Sequence, residues 1–208
     1  MLSVKRVLTI LLLFVSVLAL GQYKVTVVDQ QIYTAYVSDE LKEPLYVVYK
    51  LHKTNASNCD REGEHYSFKA TDGMLGTTEY KGSGYDKGHL APADDFGSDC
   101  EATFRYNNCL PQDPTLNRGI WKKVETNLRA LSKKKELMIV CGGTFGDQFV
   151  KQDGKLIVPK FFWKIVIDKD TNKVLHCWIF PNDKSGSILN ISLDDLKKRL
   201  GYTLNYKL

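Results

Sequence analysis

A single amphipathic helix stands between two groups of strand-like segments, and this order restricts the fold more than any other feature of the sequence. Apolar residues recur at spacings of three and four, which indicates one buried helical stripe. The stripe consists of Leu116, Ile120, Val124, Leu128 and Leu131. Asp113 followed by Pro114 predicts the start of the helix, because proline suits the first helical turn.

The segments on either side of this helix are short and rich in β-branched and aromatic residues. They are residues 23–28 and 45–51 before the helix, and 137–141, 155–158, 161–167 and 174–180 after it. A capping-box pattern at Ser192 and Asp195 predicts a second helix that ends at Gly201. Residues 53–83 are polar and punctuated by glycine, which indicates a long functional loop. The order predicts an α+β domain with a mainly antiparallel sheet.

The N-terminus has the layout of a secretory signal peptide. Lys5 and Arg6 precede an apolar run over residues 7–20, and Ala19 and Gly21 are small residues suited to cleavage. A permanent anchor is the alternative, but this run is shorter than the span of about 20 residues that a bilayer requires. We therefore expect a signal peptide at 1–21, a single domain at 22–208, a secreted or periplasmic location, and no stable membrane association after cleavage.

Charge and cysteine content restrict the function classes only in part. The formal charge of +5 permits a polyanionic partner without requiring one. The five cysteines show no CxxC spacing, so a tetrahedral zinc site is not indicated. One or two disulfides fit an oxidising compartment, with the pairing left open. The absence of an HExxH motif argues against a metalloprotease.

Chemistry is concentrated in two segments, residues 82–96 (GSGYDKGHLAPADDF) and 107–129 (NNCLPQDPTLNRGIWKKVETNLR). In the first, His89 follows Gly88 in a stretch that is too polar for a core strand. An imidazole with an ordinary pKa of about 6.5 suits a group that accepts a proton from water near neutral pH. Asp86, three residues upstream, is a candidate to orient the ring.

In the second segment, Asn117, Trp121, Glu125 and Arg129 follow one another at steps of four residues. Each step turns about 40° around a helix, so these side chains share one flank. A carboxamide oxygen can ligate Mg²⁺, a carboxylate can hold the waters of that metal, and a guanidinium can bind phosphate. An ordinary amphipathic helix with a polar face is the competing interpretation.

The two segments together resemble the DNA/RNA non-specific endonuclease family of ββα-metal (His-Me finger) nucleases. The likeness rests on Asp86-Lys87-Gly88-His89-Leu90-Ala91-Pro92 followed by Asn117, Trp121 and Glu125. Residues 107–112 (NNCLPQ), 158–168 (VPKFFWKIVID) and 179–182 (IFPN) resemble further family segments. The likeness extends from about residue 23 to about residue 200, and it implies an antiparallel sheet with a long catalytic helix.

The resemblance also implies roles for the central residues. His89 is similar to the family's general base, which activates the attacking water. Asn117 is similar to the direct ligand of a hydrated Mg²⁺, for which Mn²⁺ can substitute. Glu125 is similar to the carboxylate that positions the waters of the metal.

The same resemblance implies roles for five surrounding residues. Arg129 stands at the position that supports phosphate or transition-state charge, and Asn108 at that of a supporting asparagine. Asp86 is similar to a structural acid of the motif. Lys87 and Arg118 are the expected substrate-binding residues.

Two departures from the family pattern concern phosphate binding. Lys87 stands where the family usually has arginine. Lysine keeps the positive charge but cannot donate the two parallel hydrogen bonds that a guanidinium makes to a phosphate. Some members also have a phosphate-binding arginine upstream of this motif. Arg61 and Lys69 are both candidates for its counterpart.

The expected function is hydrolysis of DNA and RNA without sequence specificity, giving 5′-phosphate ends. Contacts to phosphates instead of base edges would make the activity sensitive to salt. A homodimer is compatible with the sequence, and no inhibitor protein is specified by it. The alternatives are a non-catalytic nucleic-acid-binding or uptake protein on the same scaffold, and a phosphodiesterase acting on small nucleotides.

Overall fold

The computed structural model describes residues 23–52, 59, 66–71, 73–149 and 156–206. Its strands are β1 (Val25–Asp29), β2 (Tyr33–Ser38), β3 (Glu43–Leu51), β4 (Asp86–His89), β5 (Cys109–Gln112), β6 (Leu137–Phe149), β7 (Ile157–Asp168), β8 (Lys173–Pro181) and β9 (Leu189–Asn190). Its α-helices are α1 (Thr77–Tyr80), α2 (Pro114–Leu116), α3 (Lys122–Ser132) and α4 (Leu193–Leu200). The predicted signal peptide lies outside the described residues.

Seven strands form one antiparallel sheet in the order β1-β2-β3-β6-β7-β8-β9. A second sheet contains only β4 and β5, which pair antiparallel. Both arrangements agree with the predicted α+β class and the mainly antiparallel sheet.

The large sheet buries both of its faces, because successive side chains of a strand point to opposite sides. On one face, Phe162 of β7 packs with Leu116 and Leu128 of the helical layer. On the other face, Trp163 packs with Leu196 and Leu200 of α4. Leu110 of β5 and Leu90, which directly follows β4, pack against the first face.

The predicted long helix is present over residues 114–132, but it is kinked. A π-helical turn at Asn117–Trp121 links α2 to α3, and Gly119 within it has φ −102° and ψ −110°. The buried side chains accordingly step five residues, from Leu116 to Trp121, before the normal spacing resumes at Val124. Ile120, expected in the buried stripe, is only half-buried. We refer to α2, this turn and α3 together as the long helix.

Other differences from the predicted elements have local causes. Residues 157–168 form one strand where two were predicted. Pro159 lies in this strand at a point where the β6–β7 register shifts, and such an irregularity accommodates a proline without ending the strand. Strands β2, β4, β5 and β9 were not predicted, and α1 lies inside the predicted 53–83 loop. The C-terminal helix agrees with the prediction, since the Ser192 side chain accepts a hydrogen bond from Asp195 N and Gly201 has φ 68°.

One disulfide is present, between Cys59 and Cys100. The other three cysteines, Cys109, Cys141 and Cys177, are buried free thiols. Within the described residues, every helix is too short or too polar to cross a membrane.

Candidate active site

A surface pocket lies where the β4–β5 sheet meets the long helix, and it joins the two segments that were singled out in the sequence. Its volume is about 270 Å³. It is lined by His89, Pro92, Ala93, Asp94, Asn117, Arg118, Lys122 and Glu125. Trp121 Nε1 donates a hydrogen bond to the backbone oxygen of His89 (3.3 Å), which links the small sheet to the long helix.

The His89 ring is positioned by aromatic neighbours. It lies at the C-terminal end of β4, with its centroid 4.8 Å from that of Phe68 and 4.8 Å from that of Phe104. The expectation that Asp86 orients this ring is wrong, because the Asp86 carboxylate is bound by Asn117 and Arg118 instead. Positions 86 and 89 are three residues apart in a strand, so their side chains leave opposite faces.

Asp86 fixes the orientation of the Asn117 carboxamide. Asn117 Nδ2 donates to Asp86 Oδ2 (2.9 Å), and Arg118 donates to both Asp86 oxygens (2.9 and 2.6 Å). Only the NH₂ end of a carboxamide can bond to a carboxylate, so Asn117 Oδ1 is the end left for a cation. Burial opposes ionisation of Asp86, but the hydrogen bonds from Arg118 and Asn117 prevail and hold its pKa below the usual value.

Glu125 lines the pocket and is buried. It is 8% exposed, and its Oε1 lies 3.7 Å from Lys164 Nζ. Burial raises the pKa of Glu125 to about 7, although the charge of Lys164 lowers it. The five-residue step at the π-helical turn explains the burial, because it rotates α3 relative to Asn117.

Lys164 was missed in the sequence, and it is fully buried beneath the pocket. Its Nζ lies 4.1 Å from the centroid of the Trp121 ring. Neither Lys164 Nζ nor Glu125 Oε1 has a hydrogen-bonding partner among the described residues. The sequence does contain an indication that Lys164 is buried. It is the one lysine in the apolar segment 161–167, and strand alternation places it on the same face as Phe162.

Arg129 is held by acidic residues next to the pocket. Its Nη1 donates to Asp95 Oδ1 (2.8 Å), and its Nη2 lies 3.8 Å from Asp94 Oδ2. Asp95 is 1% exposed and also accepts a hydrogen bond from the Tyr49 hydroxyl (3.1 Å). Arg129 is not among the described residues that line the pocket. The guanidinium of Arg129, which was predicted to bind phosphate, is therefore already paired with the carboxylates of Asp95 and Asp94.

Asn108 is fully buried, and all of its side-chain hydrogen bonds go to the backbone. Its Nδ2 donates to Ala91 O and Thr103 O (both 2.9 Å), and its Oδ1 accepts from Ala91 N (2.9 Å). These bonds fasten the segment that follows His89. Asn108 therefore supports the backbone of the site and does not face the pocket.

The remaining predicted cations lie apart from the pocket. Lys87 Nζ lies 5.2 Å from the centroid of the Phe68 ring, in an adjoining groove. Lys69 is exposed and forms an ion pair with Glu101 (2.6 Å). Arg61 lies outside the described residues. Lys122, by contrast, was not predicted as a site residue, and it lines the pocket.

The donor set fits a mostly hydrated metal ion. The described residues contain no group of three or more His, Cys, Asp or Glu side chains that could hold a metal directly. The pocket does offer a fixed carboxamide oxygen at Asn117 and the carboxylate of Glu125. Hard cations such as Mg²⁺ accept such oxygens and keep several of their waters.

Gly88 permits the close approach of β4 to β5, and we expect Gly88→Ala to destabilise the protein. An added Cβ would lie 2.1 Å from Oε1 of the fully buried Gln112. Overpacking of this kind costs about 1–3 kcal/mol, which lowers the melting temperature of a domain of this size by about 2–12 °C. Gly76→Ala is the control, because its added Cβ would have its nearest neighbour at 3.8 Å. Equal melting temperatures for the two variants would contradict the expectation.

Comparison with known proteins connects this arrangement to a family. The model of the family described as DNA/RNA non-specific endonuclease matches residues 17–208. "Nuclease" of Nostoc sp. is 33% identical, with 76% of this chain and 65% of that protein covered. "Nuclease EXOG, mitochondrial" of Homo sapiens is 28% identical, with 76% and 51% covered. "Endonuclease G, mitochondrial" of Homo sapiens is 33% identical, with 60% and 47% covered.

The solved structures include a match to the fold. A chain of the crystal structure of the EndoG/EndoGI complex superposes with a TM-score of 0.71 at 21% identity, covering 84% of this chain and 83% of that one. This match confirms the predicted ββα-metal architecture. The chain spans less than two thirds of the length of the curated relatives given above. Since the family model matches nearly the whole chain, the protein belongs to the DNA/RNA non-specific endonuclease family.

Proposed function

We propose that this protein is an exported, metal-dependent endonuclease that hydrolyses the phosphodiester bonds of DNA and RNA without sequence specificity. The observation that carries the proposal is the convergence of His89, Asn117 and Glu125 on one open pocket. An imidazole, a fixed carboxamide oxygen and a buried carboxylate supply a base, a metal ligand and a holder of water. Export rests on the signal-peptide pattern of residues 1–21.

In this proposal Asn117 would hold Mg²⁺ through its carboxamide oxygen, and Glu125 would orient water near the ion. The ion, when bound, neutralises phosphate charge and stabilises the leaving oxygen. Asp86 acts as a positioning residue, because it keeps the nitrogen end of the Asn117 carboxamide turned away from the cation.

His89 accepts a proton from the attacking water on its imidazole nitrogen. The resulting hydroxide forms a bond to phosphorus as the bond from phosphorus to the 3′ oxygen breaks. The 3′ oxygen then takes a proton from solvent water, and the products carry 5′-phosphate and 3′-hydroxyl ends. Phe68 and Phe104 keep the ring in place during the transfer.

Lys122 is expected to bind a substrate phosphate, because it is an exposed cation that lines the pocket. We expect Lys122→Ala to raise KM several-fold and to reduce the slope of log affinity against log salt by about one. Lys123→Ala is the control, since Lys123 is its exposed neighbour and is not among the described pocket residues. Identical salt slopes for the two variants would remove Lys122 from the phosphate contacts.

A panel of substrates tests the proposed activity. The purified protein should degrade supercoiled plasmid and RNA in Mg²⁺, and ligation or end-labelling should detect 5′-phosphates. Cleavage confined to a dinucleotide ester would indicate a phosphodiesterase for small nucleotides. Retained DNA binding with no cleavage of any substrate would indicate a binding or uptake protein.

A further inference from the structure

A second groove opens directly beside the catalytic pocket, and the two share Asn117 in their linings. Its volume is about 540 Å³, which lies within the range of sites for small organic ligands. It is lined by Phe68, Thr77, Tyr80, Lys81, Tyr85, Asp86, Lys87 and Asn117. A polynucleotide whose phosphate lies in the pocket would therefore pass into this groove with its next nucleotide.

Tyr85 is an aromatic residue of the groove lining whose ring is available to a ligand. Within the described part of the chain, no aromatic ring packs on Tyr85, and its hydroxyl has no hydrogen-bonding partner. Tyr80 on the same wall is different, because it is 6% exposed and packs on Tyr106 with the ring centroids 5.9 Å apart.

The backbone around Tyr85 has a defined conformation. Gly82 and Gly84 have φ of 75° and 81°, which permits the tight turn that leads into β4. Tyr85 N donates to Ser83 Oγ (3.1 Å), which fixes the backbone at that residue. The ring is thus half-buried and stands on a turn of defined geometry immediately before β4.

The charges in the groove favour an anion. Lys81 is exposed and has no ion-pair partner among the described residues. Lys87 lies over the faces of Phe68 and Tyr106, 5.2 and 5.5 Å from their centroids. The one acidic residue of the lining, Asp86, is already engaged by Arg118 and Asn117.

From this geometry we infer that the groove binds the nucleotide that flanks the cleaved phosphodiester, with its unpaired base stacked on Tyr85 and its phosphate near Lys81. The inference rests on the proposed function, since it takes the pocket as the site of cleavage. Stacking on a side chain requires a base that is free of its own stack. The groove therefore favours single-stranded DNA and RNA over duplex DNA.

Tyr85→Ala tests the groove by comparing a long substrate with a short one. The variant should lower kcat/KM for a single-stranded oligonucleotide by roughly 5- to 150-fold, the range of base–aromatic stacking. Activity on bis(p-nitrophenyl) phosphate, a phosphodiester that carries no nucleotide, should stay unchanged. Tyr85→Phe should behave as the original protein, because it keeps the ring. Equal losses on both substrates, or no loss on either, would overturn the inference.

A binding measurement separates this inference from the proposed function. A single-stranded oligonucleotide that carries 2-aminopurine is titrated with the protein in EDTA, where cleavage is not needed. Stacking on Tyr85 should quench the fluorescence, and Tyr85→Ala should weaken both the quenching and the binding. Unchanged quenching in the variant would overturn the groove assignment whether or not the protein cleaves. Absence of cleavage with Tyr85-dependent quenching would overturn the proposed function alone.

Discussion

His89→Ala should lower the rate of phosphodiester cleavage by about 10²–10⁴-fold, the usual contribution of a general base. His89 is the only histidine among the described residues that line the pocket, and it lies on the β4 side opposite Asn117 and Glu125 of the long helix. Removing the imidazole leaves the cations at the pocket unchanged, so the affinity for nucleic acid should change little.

The control for this variant is His176→Ala. His176 lies on β8, is exposed and stacks on Trp178 with the ring centroids 4.4 Å apart. It is not part of the pocket lining that the structure describes. Initial rates on plasmid and binding by fluorescence anisotropy would be measured for both variants. A His89→Ala protein that retains cleavage within about threefold of the original would show that the general base lies elsewhere.

Lys164→Met should reduce cleavage at pH 7 and move the acidic limb of the pH–rate profile to higher pH. Burial raises the pKa of Glu125 to about 7, and the Lys164 charge is the largest influence that opposes this rise. Without that charge the pKa of Glu125 rises further, and Glu125 keeps its proton at pH 7. The ionised fraction falls about tenfold for each unit by which the pKa exceeds the pH.

The activity lost in Lys164→Met should depend on pH in one direction only. A carboxylic acid with a raised pKa ionises as the pH increases, so the lost activity should return in part near pH 9. Lys160→Met is the control, because Lys160 is an exposed lysine on the same strand with its Nζ 5.7 Å from the Phe161 ring. Thermal unfolding of both variants would show whether they remain folded. A loss in Lys164→Met that is the same at every pH would indicate a purely structural role for Lys164.

The sequence predicts the fold class well where apolar periodicity is strong. The strands predicted at 137–141 and 161–167 lie within the observed β6 and β7, although β6 continues to Phe149, and the second predicted helix agrees with α4. The strands β4 and β5 escape prediction because each has four residues and their stability comes from pairing with each other. A glycine and a proline within them also lack strand propensity.

The site is predictable in its residues and less so in its geometry. The resemblance to the two family motifs indicates His89, Asn117 and Glu125, and all three line one pocket. The spacing of apolar residues predicts a regular α-helix. It does not reveal the π-helical turn at Gly119, which changes the direction in which the later side chains of the helix point. The pairing of Glu125 with Lys164 joins a helix to a strand 39 positions later in the sequence, and no local pattern reports such contacts.

The proposed metal-dependent endonuclease activity is tested by removing and restoring the metal ion. Supercoiled plasmid would be incubated with one sample of the protein in Mg²⁺, then in EDTA, and again after Mg²⁺ is restored, while DNA binding is followed in parallel. Cleavage should stop in EDTA and resume with Mg²⁺. Cleavage that continues in EDTA, or DNA binding without cleavage in Mg²⁺ and Mn²⁺ alike, would contradict the proposed activity.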